Sequence, residues 1–149
     1  MPSLSLSLAS LMLLIGVGLV QSATLRNPEE AKELAEKILG RAVVGDTESI
    51  ATVLKPHWSF PEQELDTLVA QTTRQRQQLV HRLGKSIGFA LVRRETLADT
   101  FMRLTYVEKL ENTGLRWSFL FYKAKDTWKF HSFSWDEDVT KLFMPSSQR

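Results

Sequence analysis

The sequence predicts an α+β domain: three N-terminal helices packed on a mainly four-stranded antiparallel sheet. Three observations predict it. Apolar residues recur at three- and four-residue intervals as far as Leu83, and at two-residue intervals from Ser86 onward. Helix-ending residues, Gly45, Pro56 and Gly84, punctuate the first part of the chain. The later apolar runs are joined by short polar links, which make neighbouring strands antiparallel. Helices first and strands after places the helices on one face of the sheet.

The stretch ahead of the helices reads as a leader. "MPSLSLSLASLMLLIGVGLVQSA" carries no charged side chain before Arg26, and its apolar run ends in the small residues Ser22 and Ala23. That run is shorter than the roughly 20 apolar residues a membrane span needs. The pattern is that of a secretory signal peptide over residues 1–22, with cleavage after Ser22, or alternatively after Ala23. The other reading is an uncleaved membrane anchor. Cleavage leaves one domain, residues 23–149, exported to the periplasm or the extracellular space, with no stable membrane span.

Composition narrows the function further. The net charge of +2 is too small to argue for nucleic acid or an acidic membrane surface. The absence of cysteine excludes thiol catalysis, thiolate metal sites and disulfides.

The first helix spans Pro28 to Val44, on the spacing of Ala31, Leu34, Ala35, Ile38, Leu39, Ala42 and Val43. Asn27 is its N-cap, and Glu29 and Glu30 lie at its positive end. Gly45-Asp46 closes it and opens a short second helix with Ile50, Val53 and Leu54 on its apolar face; Pro56 stops that one. Ser59 and Glu62 have capping-box spacing for a long third helix, from about Phe60 to Leu83. Its stripe is apolar at both ends (Leu65, Leu68, Val69; Leu79, Leu83) and polar between, at Thr72 and Gln75 or Arg76. Either this centre faces water, or it crosses the mouth of a cavity and points in. Four strands follow: Ile87–Glu95, Thr100–Leu110, Leu115–Lys123 and Thr127–Trp135.

The hairpin "LRWSFLFYKAKDTWKFHSFSW" holds more than half of the chain's aromatic residues. Strand alternation puts Leu115, Trp117, Phe119 and Phe121 on one wholly apolar face, which is the inner one. A bulge near Ser132 lets Trp128 and Phe130 share that face with Phe133 and Trp135. On the second strand the inner set is Met102, Leu104, Tyr106 and Leu110. The outer face then shows Thr105, Val107, Leu120 and Tyr122, ringed by Arg103 and Arg116. That mixture suits a homodimer interface; the alternative is an ordinary wet sheet face.

The Gly-Asp-linked helix pair "LGRAVVGDTESIATVLKP", the break carrying "HWSF", the long helix and this aromatic hairpin together resemble the nuclear transport factor 2-like (cystatin-like α+β) superfamily, in particular its small exported bacterial members. The resemblance covers the whole chain after the leader. It implies a cone-shaped domain whose curved sheet packs on the long helix, often around a pocket, and whose convex face often pairs. It does not imply one activity, because the fold hosts dehydratases, isomerases, transport adaptors and binding domains.

Within such a cone the expected lining is Trp58, Tyr106, Trp117 and Trp135, with Gln75 or Arg76 as polar contact and His131 within reach. The expected ligand is small and apolar or aromatic. No residue is assigned a catalytic role, no metal spacing links His57, His81 and His131, and no cofactor fingerprint occurs. The acidic run Asp136–Asp138 reads as a solvated loop. The function expected is a non-enzymatic ligand-binding or protein-interaction module. The alternative is a small hydrolase, dehydratase or isomerase using Tyr106 or His131, which would need an inward carboxylate within reach. Mass spectrometry of protein from its native host should find an amino terminus at Ala23 or Thr24; intact Met1 on soluble cytoplasmic protein would refute export.

Overall fold

The computed structural model describes residues 22–143. The leader run therefore lies outside the described residues. The elements are α1 (Pro28–Val43), α2 (Ser49–Leu54) running into a 3-10 turn (Lys55–His57), and α3 (Glu62–Leu83). They are followed by β1 (Ser86–Leu97), β2 (Phe101–Leu110), β3 (Gly114–Lys123), β4 (Trp128–Asp136) and a last 3-10 turn (Val139–Leu142). The strands form one antiparallel sheet in chain order, β1-β2-β3-β4. Among the described residues no helix is long and apolar enough to cross a membrane.

Asn27 Oδ1 accepts the Glu30 backbone N–H at 3.0 Å and caps α1 as expected. The stripe from Ala31 to Ala42 is buried, and Gly45 turns the chain away at φ +77°. Two capping expectations fail. Asp46 does not open α2, which starts three residues later behind Glu48 without a side-chain cap; the Asp46 N–H instead closes the end of α1 by donating to the Arg41 carbonyl at 2.9 Å. The Ser59–Glu62 capping box does not form either. Pro61 (φ −53°, ψ 134°) is extended, so α3 begins only at Glu62, and the Ser59 hydroxyl lies 2.9 Å from that of Ser22.

The inner sheet face is as the alternation predicts. Leu115, Trp117, Phe119 and Phe121 of β3 are buried, as are Met102, Leu104, Tyr106 and Leu110 of β2. The β3–β4 register slips by one residue: Leu120 pairs with Ser132 and Phe121 with Phe130. His131 is the extra residue, one position from where the bulge was expected. It turns outward, and Trp128, Phe130 and Phe133 are all buried on the helix side, with Trp135 half-buried beside them. The edge of β4 is occupied in part by the N-terminal segment. Leu25 exchanges both backbone hydrogen bonds with Trp128, and the Ala23 N–H donates to the Pro56 carbonyl at 2.6 Å.

The outer face departs from expectation at Thr105, which is buried. The chain after β4 runs back across this face. Arg116 pairs with Asp136 where the strap begins, and Arg93 of β1 donates to the Leu142 and Lys141 carbonyls at 2.7 and 3.3 Å where it ends. Val139 lies over Gly114 beside Val107. The acidic run at its start stays partly exposed, and each member has a cationic partner: Asp136, Glu137 and Asp138 pair with Arg116, Arg82 and Lys141 respectively.

His57, held between the N-terminal segment and α2, ties its protonation to folding. Its Nδ1 is buried without a hydrogen-bond partner, and burial lowers its pKa, opposed by a hydrogen bond with the Ala23 backbone. The unfolded chain therefore takes up this proton first. As pH falls from about 6.5 toward the lowered folded value, the unfolded state binds more protons and stability declines. Urea midpoints measured between pH 7.5 and 5 should fall less for His57→Gln than for the parent; equal slopes would refute the assignment.

Candidate functional site

The polar centre of α3 faces the sheet, not water. Thr72 and Arg76 are each 3% exposed. A buried guanidinium is tolerated only when its charge and its N–H groups are matched, and the match is Glu108 on β2, which is fully buried. Arg76 donates through both terminal nitrogens to the two carboxylate oxygens, at 2.6 and 2.7 Å. One of those nitrogens also reaches the Ala42 carbonyl near the end of α1, at 3.2 Å. Trp117 Nε1 donates to Glu108 Oε2 at 2.7 Å. The rings of Trp117 and Trp135 lie 5.6 and 5.9 Å from the guanidinium carbon. Trp117 in turn stacks on Phe119, Phe133 and Trp135.

Three of the predicted site residues thus meet, Arg76, Trp117 and Trp135, around a carboxylate that the sequence reading left unassigned. Glu108 had a signal. It is the one charged residue in the inner series from Met102 to Leu110, as Arg76 is on the stripe of α3. Two lone opposite charges on facing apolar stripes point to each other.

The other candidates lie apart. Gln75 is exposed, in a shallow groove with Arg82 and Trp135. Trp58 packs on Phe130 and Phe60 and donates from Nε1 to the Pro61 carbonyl at 3.1 Å. His131 is exposed on its bulge between the rings of Phe60 and Phe101. Tyr106 and Trp117 have no exposed surface. The Tyr106 hydroxyl lies 3.4 Å from Glu36 Oε1 of α1, and burial, followed by the Glu36 charge, raises its pKa. This phenol keeps its proton at neutral pH. It can donate a hydrogen bond but is a poor base.

Beside the ion pair lies a cleft of about 530 Å³. The end of α1 and Gly45 form one wall, and Thr73, Arg76, Gln77 and Val80 of α3 form the other. Lys85 and Ser86 close it where β1 begins. Thr47 and Thr73 meet across it, their hydroxyls 2.9 Å apart. Among the described residues no cluster of three or more His, Asp or Glu side chains is placed to hold a metal ion.

No protein-family model, curated protein or solved structure matches the chain, so the site is read from its own geometry. That geometry defines an α+β protein built around a buried arginine–carboxylate pair, with an open cleft at the pair's edge.

Replacing either partner alone, Arg76→Ala or Glu108→Ala, should cost about 3–5 kcal/mol, because the other charge is left buried and unmatched. The double replacement Arg76→Met with Glu108→Leu should recover much of that loss. Urea denaturation followed by tryptophan fluorescence reads all three; single variants within about 1 kcal/mol of the parent would contradict a tightly matched pair.

Proposed function

We propose that the protein is an exported, non-enzymatic interaction module of nuclear transport factor 2-like architecture, which pairs with a second copy of itself through its outer sheet face. One observation carries this reading. The C-terminal strap crosses this face near Val107, but leaves a contiguous apolar strip beside it: Leu97, Phe101, Leu120 and Tyr122. Leu97 is 69% and Tyr122 37% exposed, and a groove of about 620 Å³ runs between Leu97, Phe101 and Leu120. Arg103 and Glu95 cross it as an ion pair, 2.9 Å apart. Apolar area edged by arginine is typical of interface cores and rims. An opposed Arg–Glu pair at the centre of a patch is self-complementary under a two-fold axis.

The interior supports the same choice. Its buried charges among the described residues, Arg76 and Glu108, are bonded to each other, and its largest rings are packed together. The catalytic alternative would rest on Tyr106 and Glu36. That contact is long, and Glu36 is also paired with Lys32 at 2.8 Å.

Sedimentation of the protein at micromolar concentration should show a dimer, and Leu120→Glu should give a folded monomer, checked by circular dichroism. A monomeric parent would refute the pairing.

A further inference from the structure

We propose that the cleft beside Arg76 binds a small amphipathic organic acid, with an apolar body and a single carboxylate head. The inference stands apart from self-association, since the cleft lies on the helix side of the sheet and the apolar strip on the other. Among the described residues, the charged side chains lining the cleft are Arg76 and Lys85, both basic, and none that lines it is acidic. Arg76 is neutralised from below by Glu108. Lys85 is not neutralised. Among the described residues its ammonium has no carboxylate partner within ion-pair distance; the nearby Glu111 carboxylate accepts from the Lys85 backbone N–H, at 2.9 Å. One uncommitted cation at the rim selects one negative charge.

Next to it, Ser86 Oγ is buried without a hydrogen-bond partner. Buried hydroxyls are nearly always bonded, and an orphan calls for an explanation. A turn of its side chain toward the cleft would give the head group a second donor. The remaining wall suits a hydrocarbon body: Ala42, Val43 and Val80, with the methylene stem of Arg76 beneath. The volume lies within the range of small-molecule sites, roughly 300–1,000 Å³.

Two alternatives fit less well. The C-terminal end of α1 would favour a cation, but Arg76 and the Gly45 N–H already bond the Ala42 carbonyl there. A phosphate dianion or nucleotide would find a single uncommitted cation and an apolar wall where it needs donors.

The test is a titration of the ¹⁵N-labelled protein, followed by amide chemical shifts, with sodium octanoate, 1-octanol and octylamine as matched probes. Octanoate should give saturable shifts at Val43, Val80, Lys85 and Ser86. Lys85→Gln should weaken it roughly tenfold, the size of one hydrogen bond to a charged group, and octanol should bind the parent weaker by a similar factor. Val80→Glu, which puts a carboxylate in the apolar wall, should abolish the shifts while the rest of the spectrum stays folded. Octanol or octylamine binding as tightly as octanoate would overturn the proposal. So would octanoate shifts that fall on Leu97, Phe101 and Leu120, or none at the cleft. Each of these readouts is the same whether the protein is a monomer or a dimer.

Discussion

The pair between Arg76 and Glu108 is the constraint on which the arrangement of layers depends. A charge carried into the interior costs several kcal/mol even after relaxation, and a partner recovers that only with close, aligned contacts. Here the contacts fix more than two residues. The bidentate geometry sets the height of α3 over β2. The bond to the Ala42 carbonyl ties the end of α1 to α3. The Trp117 indole N–H on Glu108 ties in β3, and the ring of Trp135 beside the guanidinium reaches β4. A slip of α3 by one residue would take Arg76 off the inward stripe and leave Glu108 alone in an apolar layer. An all-apolar centre would impose no such penalty, because apolar contact is not directional.

The aromatic layer supplies the attraction that this pair only orients. Each fully buried aromatic is worth about 1.5–3 kcal/mol by area, and β3 and β4 bury six on the helix side, Trp117, Phe119, Phe121, Trp128, Phe130 and Phe133, with Trp135 half-buried beside them. That layer needs the bulge. Without the extra residue at His131, strict alternation would put Phe133 and Trp135 on the outer face whenever Trp128 and Phe130 were inside. A one-residue irregularity thus moves two large side chains into the core. It also explains why His131, for all its aromatic neighbours, stays exposed.

Much of this was legible in the sequence, because it depends on local chemistry. Asn27 caps with its own side chain, Gly45 and Gly84 end helices at positive φ, and the inner sets of β2 and β3 follow from alternation alone. The mixed pattern of β4 even announced its bulge. What stayed illegible depends on partners distant in the chain. Ser59 and Glu62 have the spacing of a capping box, but Pro61 between them is extended, and the hydroxyl goes to Ser22. Thr105 is buried on a face that alternation leaves open, and its cross-strand neighbour Arg93 is bonded to a much later segment, which its own strand cannot reveal. Glu108 lies 32 residues from Arg76, so the pairing depends on a helix–strand register that no local rule sets.

The same interaction accounts for the position of the cleft. α1 ends where Arg76 meets the Ala42 carbonyl, and Gly45 then turns the chain away from the sheet. A side chain at Gly40 or Gly45 would meet nothing within 4 Å, so the glycines are not there to admit a close neighbour, and the wall beyond them stands open. Gly84 is the opposite case: a Cβ there would lie 2.7 Å from the Glu111 carboxylate, which is held against the Lys85 backbone. That tight corner brings Lys85 and Ser86 to the far rim. The cleft is therefore the gap between a helix that Gly45 ends and Arg76 holds against α3, and a strand that starts just after Gly84. Stability and opening meet here: one contact of the buried guanidinium, to the Ala42 carbonyl, ties down the end of α1 that forms the wall of the cleft.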